Sequence, residues 1–267
     1  MLDRFNRNIQ YLRISVTDRC NLRCTYCMPE EGITLIDKKD ILSLEEIFAV
    51  VTTGASKFGI RKIRFTGGEP LVRKGIVELV EKVSSIDGIE ETSMTTNGIL
   101  LSEYAAALKK AGLKRVNISL DTLSPVKFSA ITRGGEIGKV KEGIEAAMNA
   151  GLTPVKINVV KTNDLDQEEL EALKEYCRIN DLKIRFIHQM NLKTGTFSQV
   201  EGGSGGNCTT CNRLRLMSNG NIKPCLFSNH GFNIRELGIE KAFQLAFGHK
   251  PLKGEINDNH HFYNIGG

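Results

Sequence analysis

Two rhythms of apolar residues take turns along the first two thirds of the chain. Short stretches rich in β-branched residues, with apolar positions alternating, predict strands over 11–16, 62–66, 91–95, 115–120, 154–160 and 182–187. Between them, apolar residues recur three and four apart and predict helices. Leu44, Ile47, Phe48 and Val51 follow a capping box, Ser43-x-x-Glu46, and Gly59 ends their helix. Ile76, Leu79, Val80 and Val83 share one helical face. Residues 101–111 read as a helix closed by Gly112. Pro125 and the periodic run 139–150, closed by Gly151, give helix again, as do residues 165–179.

About six alternations of strand and helix predict a parallel sheet, wound either into a barrel or into an open doubly wound layer. In both, reactive groups belong at the C-terminal ends of the strands. After Met190 the alternation stops. Residues 202–206 read as a flexible Gly-rich linker. Residues 207–267 read as a small irregular appendage with at least one helix, near 239–247. The expected organisation is therefore a unit over 1–190 and a C-terminal region over 191–267.

Composition narrows the class. The chain has 267 residues, 40% hydrophobic and 25% charged, as in soluble globular proteins. It contains no apolar run of the roughly 18 residues a membrane helix needs, and residues 1–10 lack the apolar core of a secretion signal. A net charge of +5, without a basic block, suits an anionic substrate and does not call for nucleic acid.

Six of the seven cysteines fall in two triads, Cys20/Cys24/Cys27 and Cys208/Cys211/Cys225. Clustered thiols without a secretion signal point to metal in a reducing compartment, read as the cytoplasm, and away from disulfides. Three thiolates leave one position of a tetrahedral site or one iron of a [4Fe–4S] cluster free. Zinc remains open for either triad on spacing alone. For the second, His230, His249, His260 and His261 lie downstream as fourth ligands. Cys177, in a helical pattern, reads as an ordinary buried thiol.

The first triad, Cys-x3-Cys-x2-Cys with Tyr26 before the last cysteine, resembles the signature of the radical S-adenosylmethionine enzymes. Other stretches resemble the GTP 3′,8-cyclases of molybdenum-cofactor biosynthesis: residues 12–20, 64–71, 95–98, 117–121 and 156–158, then Cys-x2-Cys-x-Arg-x-Arg-Leu over 208–216, Cys225-Leu226-Phe227 and the terminal Gly266-Gly267. The resemblance covers residues 8–190 and 207–267. It implies an incomplete (β/α)6 TIM-like barrel with a small C-terminal Fe–S appendage. It also implies two [4Fe–4S] clusters, S-adenosylmethionine as cofactor, and a lyase that cyclises GTP through a 5′-deoxyadenosyl radical.

By the same resemblance Cys20, Cys24 and Cys27 hold one cluster, and Cys208, Cys211 and Cys225 the other. Tyr26, Gly68, Ser119 and Met190 contact S-adenosylmethionine. Arg13, Lys62, Arg64, Thr95, Lys156 and Arg185 contact GTP. Arg213 and Arg215 contact GTP and serve the cyclisation, and Gly266-Gly267 insert into the active site. Arginine suits bidentate phosphate contacts. The implied partners are a flavodoxin or ferredoxin as electron donor and a downstream cyclic pyranopterin synthase, with a homodimer left open and no membrane or nucleic-acid partner. Two features depart from the family pattern: only 17 residues separate Met190 from Cys208, where the family has several dozen more, and His188 stands where the family has Glu. The alternatives are a related two-cluster enzyme acting on another nucleotide or a peptide, and a zinc-binding nucleic-acid module.

Overall fold

In the computed structural model, which describes residues 1–161, 167–191 and 197–256, the strands join one open sheet. β1 (Tyr11–Ser15) is followed by α1 (Leu44–Phe58), β2 (Lys62–Thr66), α2 (Ile76–Ser84), β3 (Glu91–Thr96), α3 (Leu101–Lys110) and β4 (Arg115–Ser119). Two helices, α4 (Pro125–Thr132) and α5 (Ile137–Asn149), then lead to β5 (Lys156–Lys161), α6 (Gln167–Ile179) and β6 (Lys183–His188). All six strands pair in parallel, in sequence order. The sheet does not close: its order is β6-β5-β4-β3-β2-β1-β7-β8-β9. The fold is thus a partial, TIM-like barrel.

Local chemistry sets the boundaries. Ser43 accepts from the Glu46 amide while Glu46 accepts from the Ser43 amide, so both halves of the capping box form. Gly59 ends α1 in the left-handed conformation, at φ 69°. Ser124 caps α4, and Arg133 in the left-handed region ends it. The expected run into 139–150 is therefore two helices with a turn between them.

Alternation sends Leu12, Ile14, Ile63, Phe65, Met94, Val116, Ile118, Ile157 and Val159 to the helix side of the sheet, where all are fully buried. They pack against Val50, Val80, Leu108, Ile144 and their neighbours in one continuous core. Burying each such side chain favours folding by about 1.5–3 kcal/mol. The opposite face carries almost no apolar residue below Val160 and Ile187. It is the face that a closed barrel would fill with packed aliphatic layers.

The C-terminal region was expected as an irregular appendage, but it extends this sheet. β7 (Arg213–Leu216) pairs in parallel with β1, and β8 (Asn221–Lys223) and β9 (Phe232–Asn233) follow antiparallel. Two short helices follow, α7 (Ile234–Leu237) and α8 (Ile239–Gly248), and α8 lays Phe243 and Phe247 against Phe58.

The Gly-rich stretch is also more ordered than a flexible linker. Glu201 exchanges two backbone hydrogen bonds with Phe186 on the free edge of β6, at 3.1 and 3.0 Å. A Cβ on Gly206 would meet the Ser198 carbonyl oxygen at 2.2 Å, and φ there is +78°. Close packing, rather than a need for flexibility, accounts for glycine at that position. Among the described residues no helix is long and apolar enough to cross a membrane.

Candidate active site

The loop after β1 carries Cys20, Cys24 and Cys27 at the C-terminal end of the sheet. It is laced to the loop after β2: the Gly68 amide donates to the Thr17 carbonyl and the Glu69 amide to the Arg19 carbonyl, both at 2.8 Å. A Cβ on Gly68 would lie 2.2 Å from the Arg19 oxygen, so only glycine lets the two backbones meet. Within the loop, the Cys27 and Met28 amides both donate to the Cys24 carbonyl at 2.9 Å, a tight turn between the last two cysteines.

Burial, then the charges of neighbouring thiols and Asp121, pushes Cys24 up to about 12, and burial with Cys20 pushes Cys27 up to about 11. Free thiols there are held neutral. A cationic metal centre would draw them to thiolates. Amide donors already point at one sulfur, with Leu22 N–H 3.4 Å and Asn97 Nδ2 3.9 Å from Cys20 Sγ. This donor set fits a [4Fe–4S] cluster held by three cysteines. Among the described residues no group of three His, Cys, Asp or Glu converges on a single-ion site.

A cavity of about 240 Å³ opens beside the triad. Cys20, Cys24 and Cys27 line it together with Tyr26, Gly68, Thr95, Ser119 and Met190. Every residue expected around S-adenosylmethionine thus borders one space. Two carboxylates that sequence reasoning passed over frame it. Asp121, following β4, accepts from the Tyr26 hydroxyl and the Val160 amide, both at 2.7 Å, and ties the cysteine loop to β5. Glu69 is buried and accepts from Leu71 N–H, Thr96 Oγ1 and Asn97 N–H, while burial pushes it up to about 7. Both lay inside motifs already noted, which was the available signal.

Below this cavity the inward rows of the sheet are cationic. Register sets Arg13 beside Arg64 and Arg215, with Arg115 one strand beyond Ser93. Lys156 and Arg185 follow on β5 and β6. Burial, then the charges of Arg215 and Arg64, drives the Arg13 guanidinium well below its usual value. Lys156 is pushed down to about 8 by burial and then by Arg115, Arg185 and Arg64, and Arg215 to about 10 by burial and then Arg213. Arg13 Nε and the Tyr11 hydroxyl are buried with no hydrogen-bond partner among the described residues. Mutually repelling cations with orphaned donors make a site shaped for a polyanion.

Arg115 was missed by sequence reasoning, although it shares its register row with Arg64. It also pairs with Glu91 at 2.5 Å. Lys62 stands apart: its side chain is 46% exposed at the start of β2, 3.9 Å from Glu91.

The second triad borders the same interior. Cys225 packs with Met190, Phe197 and Phe227 in a small apolar cluster, so Met190 touches the surroundings of both triads. Burial alone would raise the Cys211 thiol, but Lys250 and Arg213 bring it down to about 7. His230 stacks with Phe232, and His249 is tilted against both rings. His260, His261, Gly266 and Gly267 lie outside the described residues. His188 lines the first cavity and its Nε2 is 2.8 Å from Glu201, which also pairs with Lys161 at 3.0 Å. The short linker is therefore pinned to the departing His188.

Comparison with known proteins gives the family and the fold. The family model "Radical SAM superfamily" matches residues 14–177. A GTP 3′,8-cyclase of Alkaliphilus oremlandii is 42% identical over 315 aligned residues, covering 100% of this chain and 98% of that protein. Another, from Peptoclostridium acidaminophilum, is 45% identical and covers 86% of this chain and 84% of that one. An alignment longer than the chain means that the relative carries residues with no counterpart here. Among solved structures, SuiB of Streptococcus suis bound to S-adenosylmethionine superposes with a TM-score of 0.66 at 17% identity, over 93% of this chain and 66% of that one. A peptide-bound anSMEcpe superposes at 0.65 and 19%, over 90% and 81%. At that identity the likeness is one of fold.

Proposed function

The chain belongs to the radical SAM superfamily and, within it, to the GTP 3′,8-cyclase family, and from that footing we propose that it closes the C3′–C8 bond of GTP in its cation-lined interior. The observation that carries the substrate class is the set of cations on the inward face, Arg13, Arg64 and Arg215 side by side with Lys156, Arg185 and Arg213 in neighbouring rows, together with two orphaned buried donors, Arg13 Nε and Tyr11 Oη. A triphosphate is a countercharge suited to these cations.

Cys20, Cys24 and Cys27 would hold the radical-generating cluster, with Tyr26, Gly68, Ser119 and Met190 around the cofactor. When bound, cluster and S-adenosylmethionine supply a 5′-deoxyadenosyl radical. GTP gives up its C3′ hydrogen, bonds C3′ to C8, and gains one electron and one proton, so the product is an isomer of GTP. The chain's residues orient and shield: the cations seat the phosphates, Thr95 offers a further contact, and the apolar rim at Val160, Ile187 and Met190 limits water.

Cys208, Cys211 and Cys225 would hold a second cluster, whose open iron would take the substrate base, and Arg213 and Arg215 would contact GTP and serve the cyclisation. The Gly266-Gly267 tail belongs to the same reading. So do a flavodoxin or ferredoxin donor, a place in molybdenum-cofactor biosynthesis ahead of a cyclic pyranopterin synthase, and a cytoplasmic location.

Anaerobic equilibrium binding tests the substrate class. GTP should bind at least tenfold more tightly than GMP, and salt should weaken it. Equal affinity for GTP and GMP would remove the phosphate role from the interior row. The His188–Glu201–Lys161 contact favours a second reading, the same chemistry on another nucleotide. In that case a different triphosphate would compete out GTP.

A further inference from the structure

The second cysteine triad is held by two buried cations from distant parts of the chain, and they differ in how their charge is met. Arg7 donates to the carbonyls of Cys208 at 2.8 Å, Pro251 at 2.8 Å and Leu252 at 3.3 Å, and it pairs with Asp3 at 2.7 Å. Its charge is balanced where it stands. Lys250 is 1% exposed. Its three ammonium protons have three acceptors: the Arg213 carbonyl at 2.6 Å, the Pro224 carbonyl at 2.9 Å and Cys211 Sγ at 3.6 Å.

Two of those acceptors are neutral, and no ion pair joins Lys250 to a carboxylate among the described residues. The third, the Cys211 sulfur, is the one acceptor of the three that can carry a negative charge. Arg213, Arg215 and Lys223 also surround the triad, but they sit on strands that face the interior, where a polyanionic substrate would neutralise them. Lys250 follows α8 and is sealed from solvent. Burying an ammonium without a countercharge is costly, so its position calls for an anionic centre at the sulfur it touches. Its carbonyl contacts also join the loop carrying Cys211 to the loop carrying Cys225.

We propose that Lys250 is the fixed countercharge of the second iron–sulfur centre, a positioning residue that seats Cys211 and raises that centre's reduction potential. This rests on the two-cluster reading above. Adding an electron to a thiolate-ligated centre adds negative charge. A buried cation in contact with a ligand sulfur favours that state, and hydrogen bonds to cluster sulfurs act in the same direction.

The test uses anaerobically reconstituted full-length protein, with iron counted and both centres followed by electron paramagnetic resonance in a redox titration. Lys250→Met removes charge and donors; Lys250→Gln removes the charge and keeps a donor. In both, one centre should show at least a tenfold lower reduced-to-oxidised ratio at fixed potential, a downward shift of 59 mV for a one-electron couple. The other centre should not move. Loss of the second centre alone, with the first intact, would also support the seating role.

Two unchanged potentials with about eight irons bound would overturn the proposal and leave the two-cluster reading standing. About four irons in the unmutated protein would overturn that reading and the proposal with it. A measurement independent of variants uses protein labelled with 15N-lysine: the reduced second centre should show a weak 15N coupling, and its absence would overturn the contact.

Discussion

Replacing Arg13 should make the ligand-free protein more stable and the GTP complex weaker. Arg13 is 9% exposed, its Nε has no partner, and the charges acting on it include Arg215, Arg64 and Arg213. Methionine has similar length, fills the same space and carries no charge. Exchanging buried charge for apolar volume stabilises by about 1–4 kcal/mol in comparable sites. A gain of about 2 kcal/mol would raise Tm by roughly 4–8 °C for a chain of this size.

Binding should move the other way. A charge-assisted hydrogen bond to phosphate contributes about 1.5–3 kcal/mol, so Arg13→Met should weaken GTP roughly 10- to 150-fold. Thermal melts under anaerobic conditions read both effects. At a GTP concentration one hundred times the unmutated Kd, ligand stabilises the parent by about 2.7 kcal/mol. A variant bound about a hundredfold more weakly would gain only about 0.4 kcal/mol. The GTP-induced rise in Tm should therefore nearly vanish while the ligand-free Tm increases. A variant with lower ligand-free Tm and the parent's full response to GTP would refute the reasoning and make Arg13 a structural residue.

Three further outcomes are expected. Gly68→Ala forces a Cβ to 2.2 Å from the Arg19 oxygen and should break the two 2.8 Å bonds that hold the cysteine loop. At about 1–3 kcal/mol for each orphaned group, it should lose the first cluster's iron and S-adenosylmethionine cleavage; full cleavage activity would contradict this. Tyr26→Phe removes the 2.7 Å bond to Asp121 and should raise KM for S-adenosylmethionine about tenfold with a smaller effect on kcat; an unchanged KM would remove Tyr26 from the positioning role. Lys156 has a folded value near 8, below its ordinary 10.5, so it binds fewer protons folded than unfolded between those values. Ligand-free stability should rise with pH across that window, and GTP affinity should fall as pH passes about 8. Lys156→Arg should flatten the affinity profile up to pH ~9. Parallel profiles for the two proteins would assign the titration elsewhere.

The barrel half was legible because both of its signals are local. Strand alternation and helical period each need only a few neighbouring residues, and Ser43-x-x-Glu46 and Gly59 behave as their chemistry requires. β7 was harder. Arg213-Leu-Arg-Leu216 alternates as a strand should, but its arginines drew attention as chemistry, and its partner β1 lies two hundred residues away.

The glycines of 202–206 were read as flexibility because composition reports permissiveness, not contacts. Their demand for glycine comes from the Ser198 and Ile184 carbonyls, which only the folded chain brings near. The cysteine triads and most of the cation row were recognisable from motifs. Arg115 needed the register, and Asp121 needed the fold to show its bond to Tyr26. Lys250 had no local signal at all, since its acceptors lie 26 to 39 residues earlier in the chain.

The central claim is that this chain takes a hydrogen from C3′ of GTP and closes the ring at C8. The most direct measurement is anaerobic turnover of reconstituted protein with S-adenosylmethionine, a chemical reductant and GTP deuterated at C3′, set beside the other three ribonucleoside triphosphates, with products read by mass spectrometry. The account predicts deuterium in 5′-deoxyadenosine with GTP alone, together with a cyclised product that has gained one solvent hydrogen in exchange for that deuterium. Unlabelled 5′-deoxyadenosine with GTP recovered intact would contradict it, and would direct the same radical chemistry to another substrate.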